Sequence, residues 1–526
     1  MTTTFQELLP ATRARWERIN RRVDRQLLRL QGRLDHPNTD RFTPWLVALL
    51  LFGMLFFLAW SRWRSLDMGT ELALTVQGTW MLGDGFRPEL TLAGGNLLAE
   101  QGALILYPLS IILRFLPRIA TLLALQSAAL AVGVVPIWRL ARGQGRLRVG
   151  VTAALVFAYC FYAAVHNLNV AGFHASVFAL PLLLAATRFG LDDRRTPYVV
   201  SVVGVMLCRA DLGLAIAGLG VLLLIEGKRR WGLWTLLGGL TWFFVGVFLV
   251  QAGLNDWVYP HLNAFEDFGN GPLDVIVGIV SNPVDFLRQV FSEANFRAVI
   301  GLLAPVLFLP LVAPRYLLPA LPIYALYLAA DVPVGRVAES AQAVPIAAFV
   351  FIATVFALKR SGQVLVERVN VDRRVVLALV LTASVFFVAD AASSPYARPW
   401  NWYERTPSDM ALLEAVDRIP PDANVGASRR ALPLLAERLA VYELNANRPV
   451  DAVRADIDAV VFNVDWVLLD LSATPWDISV DPTFFRSSLA RNGYEQVYDG
   501  EEFNDGEPTD IRLFQFTGVV EPLEVG

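Results

Sequence analysis

The sequence predicts a polytopic α-helical membrane protein of about eleven transmembrane helices, with a C-terminal α/β domain outside the membrane. Three observations carry this. The 526 residues have a mean hydropathy of +0.47, 55% hydrophobic residues and only 18% charged ones, more apolar surface than a soluble chain of this length hides. Apolar runs of spanning length recur from residue 43 to residue 391. From Ser393 onward 11 Arg face 23 Asp and Glu, a net of −12, which leaves +9 for everything before.

Residues 1–42 form a basic arm. Nine arginines fall in the first 43 residues, no long apolar core of a signal peptide is visible, and Trp16, Ile19, Val23, Leu27 and Leu30 recur at helical spacing. Residues 5–34 therefore read as an amphipathic helix lying on the inner leaflet. The membrane domain follows over 43–392. Spans are expected at about 43–61, 121–141, 149–166, 172–190, 231–253, 297–313, 316–331, 341–358 and 375–391. The stretch from Tyr198 to Ile225 is too long for one helix and is interrupted by Cys208-Arg209-Ala210-Asp211, so it reads as two short spans meeting at a polar turn.

Arginine placement then sets orientation. The N-terminal arm, Arg142/Arg146/Arg148, Arg194/Arg195, Lys228/Arg229/Arg230, Arg315 and Lys359 to Arg374 all fall on one side of an eleven-span chain, and the positive-inside rule makes that side cytoplasmic. External loops are expected at about 61–120 and 255–296. The apolar piece Gly102 to Leu116 is short and bears Arg114, so it reads as interfacial or re-entrant.

Residues 393–526 read as an acidic, extracytoplasmic α/β domain. Ser408 precedes an apolar-periodic helix ending at Pro420-Pro421; strands are expected at 424–428, 440–444, 459–463, 495–498 and 511–516, and a second helix at 482–492. No basic face is left for nucleic acid once the cytoplasmic loops claim their arginines. Cys160 and Cys208 both lie in apolar runs and read as small buried hydrophobes. Of the 45 basic residues only Lys228 and Lys359 are lysine.

Chemistry concentrates at the expected external ends. Asp67, in Leu66-Asp67-Met68-Gly69, follows the first span and lies near Arg64 and Glu71. Its carboxylate could deprotonate an acceptor or hold a divalent cation such as Mg or Mn on a phosphate leaving group; the plainer reading pairs it with Arg62 or Arg64. Arg209 and Asp211 are ionisable groups at membrane depth, which face a cavity or each other. His166, His174 and His261 fall at the same external ends and could bind phosphate, transfer protons or ligate metal, although no His-x-x-x-His spacing exists. Glu266-Asp267 is an acidic pair in the second external loop, where a solvated surface is the simpler account. Gly-rich phosphate loops, nucleophile elbows and Cys-x-x-Cys motifs are absent.

Four stretches resemble a prokaryotic membrane-protein family known as domain of unknown function 2079, itself similar to the C-type (GT-C) glycosyltransferase superfamily. Leu66-Asp67-Met68-Gly69 resembles its aromatic-Asp-x-Gly opening. Asn169 to His174 with Phe178-Ala179-Leu180-Pro181 resembles its Asp-Phe-His…Ala-Ile-Pro segment. Cys208 to Gly213 resembles its Lys-Glu-Asp-Leu-Gly turn, and Ile419 to Val425 the start of its external domain. The sequence departs where relatives carry a second acid (Leu72 and Ala73 here), a Gly-Asp-His (Ala99, Glu100 and Gln101 here), and Lys-Glu in the turn (Arg209-Ala210 here).

The resemblance implies a GT-C-like architecture in which a polyprenyl-phosphate-linked sugar enters from the membrane lipids and a cell-envelope acceptor approaches from outside. Asp67 would be the base or metal-holding acid and Arg209 a phosphate contact, with Asp211, His174, His166 and Arg64 as substrate-binding residues and His261, Glu266 and Asp267 as further candidates. A flippase for lipid-linked sugars and a non-catalytic envelope scaffold are the alternatives.

Overall fold

The structure, a computed structural model, describes residues 26, 35–265, 268–269, 272–330, 342–365, 368–444, 464–471, 489–500, 509 and 511–518. Nearly all of the expected amphipathic arm, the acids Glu266 and Asp267, the expected strand 459–463 and most of the helix 482–492 lie outside these residues.

The helices that frame the site are α1 (Pro37–Arg64), α2 (Gly69–Gly83), α3 (Arg118–Arg142), α4 (Val149–Val170), α5 (Ala179–Leu191), α6 (Arg195–Cys208), α7 (Gly213–Ile225), α8 (Arg229–Gln251), α9 (Leu321–Ala329), α10 (Ala343–Ser361) and α11 (Arg373–Asp390). Among the described residues six of them, α1, α3, α4, α8, α10 and α11, are long and apolar enough to cross a membrane; α5, α6 and α7 are shorter and apolar.

Apolar character is arranged in two ways. Helix α10 is apolar all round and 89% buried; α5 packs along it, and Tyr159 and Tyr162 of α4 set their rings edge-on to its Phe351. Helices α1, α8 and α11 instead leave Leu49, Leu50, Trp234, Leu237, Leu377 and Leu381 exposed on outward stripes, the pattern of a lipid-facing surface. Contact between α7 and α8 depends on the absence of side chains. A Cβ on Gly239 would lie 2.5 Å from the Ala217 nitrogen and 2.6 Å from the Gly213 oxygen, so only glycine permits this backbone approach.

The interrupted hairpin expected between residues 198 and 225 is present: α6 ends at Cys208, a 3-10 turn spans Ala210–Leu212, and α7 starts at Gly213. The continuous spans expected at 297–313 and 316–331 are not. After a helix over Glu293–Leu303 the chain runs through short 3-10 turns from Ala304 to Ala320 before α9 begins. Pro305, Pro310, Pro314 and Pro319 remove backbone donors there, and Leu307 and Phe308 both take positive φ (57° and 52°). The segment expected to be interfacial, 102–116, holds one short helix, Leu106–Leu113, with Ile111, Phe115 and Leu116 exposed.

The basic connections gather at one end of the bundle. Arg142 is tied to Asp35 and Asp40, Arg368 donates to the Arg142 carbonyl, Lys359 donates to the Gln144 carbonyl, and the amide of Arg148 bonds to Val369. The α/β domain sits at the opposite end. Its strands β1 (Val425–Ser428), β2 (Val441–Leu444), β3 (Trp466–Asp470), β4 (Tyr494–Asp499) and β5 (Ile511–Phe516) form one mixed sheet in the order β2-β1-β3-β5-β4. Strand β1 runs parallel to β2 and β3, and β5 runs antiparallel to β3 and β4.

The first helix of this domain, Pro407–Asp417, is capped by Thr406 in a capping box with Asp409, so Ser408 lies inside its first turn rather than at the cap. Arg430 is clasped by the buried acids Asp409 and Asp470. Strand β2 and the residues before it lie on α2: Thr70 donates to Glu443 at 2.8 Å, Thr91 donates to the Val441 carbonyl at 2.7 Å, and Arg118 pairs with Glu437.

Candidate functional site

The candidate site lies at the end of the bundle that carries the α/β domain, and it starts from the turn between α1 and α2. Leu66 takes φ 55° there, a conformation that costs a non-glycine residue about 1 kcal/mol; its complete burial holds it in place. Asp67 follows. Its side chain is 56% exposed and pairs with Arg62, whose guanidinium stacks over Trp402 at 4.9 Å. Arg64 is similarly occupied, lying 4.4 Å over the Tyr403 ring and donating to its hydroxyl. Asp67 and Arg64 thus belong to a joint between the first external turn and residues 399–403. Gly69 opens α2 with the Arg429 side chain against it.

Glu71 is as exposed as Asp67 but faces a different neighbour. Glu71 sits in the helix's first turn, where the N-terminal dipole favours a carboxylate, and its Oε2 lies 4.0 Å from Nδ1 of His174. His174 is placed by a buried amide. Gln126 of α3 donates to the carbonyls of Gly172 (2.5 Å) and Asn169 (3.2 Å) and accepts the His174 amide (2.9 Å). Gly172 has φ 136° and packs directly on the Glu71 Cβ, so a side chain there would push the two apart. Among the described residues, Nε2 of His174 is buried without a hydrogen-bond partner.

The α6–α7 turn completes the cluster. Arg209, in extended conformation, donates from Nε to Asp211 at 2.8 Å, pairs with it again through Nη2, and donates to the Tyr327 hydroxyl at 2.9 Å. That hydroxyl donates in turn to Asp211 at 2.8 Å. Nη1 of Arg209 has no protein partner among the described residues. Segment 99–105 lies alongside: Ile105 bonds to the Leu207 carbonyl, Gln251 donates to Ala99, and Gln101 reaches Thr75 on α2. His261 contacts the Glu100 carbonyl at 2.9 Å with its ring edge-on to Tyr259.

Of the residues singled out in the sequence, His174, Arg209, Asp211 and His261 fall in or beside this cluster. Asp67 and Arg64 lie at its rim in pairs of their own. His166 is not part of it: only 1% exposed, it uses both ring nitrogens internally, on the Cys160 carbonyl (2.8 Å) and the Ser393 hydroxyl (2.6 Å). Its ring is thus taken up inside the bundle rather than offered to this cluster. Glu71, Gln126, Tyr259 and Tyr327 were not singled out. Gln126 did carry a signal, a polar amide inside an apolar run; Tyr327 carried none.

For a divalent cation, Glu71 and His174 offer two donors, and no group of three His, Cys, Asp or Glu side chains comes together among the described residues. Among the described residues this set does not make a cation cage.

Comparison with protein families matches residues 62–503 to the family described as "Predicted membrane protein (DUF2079)". The chain belongs to that family. No curated protein matches it. Among solved structures the chain is similar to ArnT from Cupriavidus metallidurans in two crystal structures, one bound to undecaprenyl phosphate (11% identity, TM-score 0.45) and one in the apo state (12%, 0.46). Each match covers 90% of this chain and 99% of the other.

In this family member the titration of His174 is set by its surroundings. Burial holds its pKa below the usual imidazole value; the Glu71 carboxylate works against that and the Arg209 charge adds to it. The folded protein therefore keeps His174 neutral at neutral pH, whereas the unfolded chain takes up a proton below about pH 6.5. The unfolded state binds more protons in that window, so stability falls as pH drops through it. Melting temperatures measured from about pH 7 down to about pH 5 should decline less steeply in His174→Gln than in the parent. Equal slopes would mean that His174 is not held neutral by this site.

Proposed function

We propose that the protein is a membrane glycosyltransferase of the C-type class, moving a sugar from a polyprenyl-phosphate donor to a cell-envelope acceptor on the external face. The observation that carries this reading is the convergence of the Glu71 carboxylate, the His174 imidazole and a guanidinium fixed by Asp211 and Tyr327, whose Nη1 has no protein partner among the described residues, from three separate elements at one end of the bundle. In the transfer, Glu71 or Asp67 takes the proton of the acceptor hydroxyl. The acceptor oxygen forms its bond to the sugar's anomeric carbon as the bond to phosphate breaks, and that electron pair leaves on the phosphate.

Arg209 Nη1 donates to the departing phosphate oxygen, while Asp211 and Tyr327 hold the guanidinium plane still. Because Asp211 already balances the arginine charge, this unit orients a phosphate more than it attracts one.

The reading takes the basic end as cytoplasmic, which the gathering of Arg142, Arg315, Lys359 and Arg368 at one end supports. A flippase for the same lipid is the second reading. The break over 304–320 favours it, since it adds a second interrupted segment to the one at Arg209, and transporters pair such breaks. Binding tests the phosphate site common to both. Undecaprenyl phosphate titrated onto the protein in nanodiscs should bind, and Arg209→Gln should weaken it about tenfold or more, the worth of one charge-assisted hydrogen bond. Absence of binding, or an unchanged constant in Arg209→Gln, would remove the site's main support.

A further inference from the structure

The opposite, basic end of the bundle holds a cavity of about 620 Å³ between the ends of α5, α7 and α10 and the turn at Pro314–Tyr316. Its floor is an aromatic pair, Tyr316 stacked on Phe356 with centroids 3.7 Å apart and planes 6° off parallel. Three cations line it, Arg315, Lys359 and Arg360, against one acid, Glu226. The acid is spoken for: it accepts the Tyr316 hydroxyl at 3.0 Å and lies 3.4 Å from Nε of Arg315. Arg315 is thereby fixed over the Tyr316 ring at 4.8 Å.

Lys359 and Arg360 differ from Arg315. Each donates to a backbone carbonyl, of Gln144 (2.9 Å) and Val312 (3.2 Å), and neither has a carboxylate partner among the described residues. The other acids nearby are engaged elsewhere, Asp192 by Gln144 and Asp193 by Lys228. The lining is left at net +2 in a concave site, where low-dielectric walls focus the field. Leu311 and Val312 are exposed beside it, so the mouth borders apolar surface.

We propose that this cavity binds a phosphate-bearing anion. Three donors approaching from α10 and from the 313–316 turn suit a tetrahedral group with several acceptor oxygens better than a planar carboxylate, which one arginine would satisfy. Such a phosphate has two sources, the headgroup of an acidic membrane lipid or free phosphate. The apolar rim matches the first, as do basic pockets between helices at the cytoplasmic ends of membrane proteins. The site is independent of the cluster around Arg209, at the other end of the bundle, and stands whether or not the protein transfers sugar.

The full-length protein in nanodiscs provides the test. One arm compares phosphatidylglycerol with phosphatidylcholine and follows retained lipid by native mass spectrometry. A second adds inorganic phosphate to phosphatidylcholine discs and follows the melting temperature. Selective retention of phosphatidylglycerol identifies the lipid headgroup; stabilisation by inorganic phosphate identifies the free anion. In whichever arm responds, Lys359→Gln and Arg360→Gln should each weaken binding about fivefold and the double variant about 25-fold. Lys359→Arg, which keeps the charge, should bind like the parent and shows that loss is not misfolding. No response in either arm, or an equal response in the double variant, overturns the proposal.

Discussion

Asp211→Ala is expected to destabilise the protein by about 3 kcal/mol, the lower end of what removing one partner of a buried ion pair costs. The carboxylate is 12% exposed and takes three donors: Nε and Nη2 of Arg209 and the Tyr327 hydroxyl. Alanine leaves a guanidinium, itself only 21% exposed, without its counter-charge, and leaves the tyrosine without its acceptor. Because Arg209 keeps a solvent edge, the upper end of the range is not expected. Asp211→Asn should lose less, since its amide oxygen still accepts from Nε. Replacing both members by leucine should recover part of the loss, because the desolvation penalty goes with the charges. Urea unfolding of the purified protein measures all three. An alanine variant within about 0.5 kcal/mol of the parent would mean that the pair behaves like a screened surface contact.

The same residues show what was legible in the sequence. An arginine and an aspartate inside an otherwise apolar stretch are visible because their cost at membrane depth demands partners, so the α6–α7 turn and its pairing could be read directly. Their third partner could not, since Tyr327 lies 116 residues further on and only the packing of α9 delivers its hydroxyl. His166 and His174 looked equivalent, two polar rings at one end of the bundle. They are separated by contacts that no spacing encodes: Ser393, 227 residues away, closes on His166, while Gln126 turns the His174 backbone toward Glu71.

Hydropathy also overlooked the prolines of 305–319. It averages over side chains, whereas the break comes from missing backbone donors. In the α/β domain the strands at 425–428, 441–444, 494–499 and 511–516 follow their β-rich patterns. The strand Trp466–Asp470 ends in a buried acid that Arg430 reaches, a pairing that no β-rich pattern signals.

Glu71→Gln is expected to lower sugar transfer by about 10²–10⁴-fold, the usual worth of a positioned general base, while leaving polyprenyl-phosphate binding near the parent value. Asp67 and Glu71 stand four residues apart across one turn, and sequence alone favours the first because it follows the span directly. The fold separates them. The αL turn at Leu66 sends the Asp67 carboxylate back onto Arg62, and Gly172 lets the 169–174 turn close on Glu71, bringing His174 to 4.0 Å. An acid serving as base must reach the acceptor hydroxyl, and the Asp67 carboxylate is turned onto the Arg62 guanidinium instead. Asp67→Asn should therefore reduce transfer much less than Glu71→Gln, through a loosened joint with Trp402 rather than lost proton transfer. Transfer assays on the two variants, run with the binding titration on the same preparations, separate the outcomes. Full loss in Asp67→Asn with activity kept in Glu71→Gln would require Asp67 to leave Arg62 during turnover. Transfer unchanged in both would mean that neither acid is the base, and that this cluster holds the lipid without acting on it.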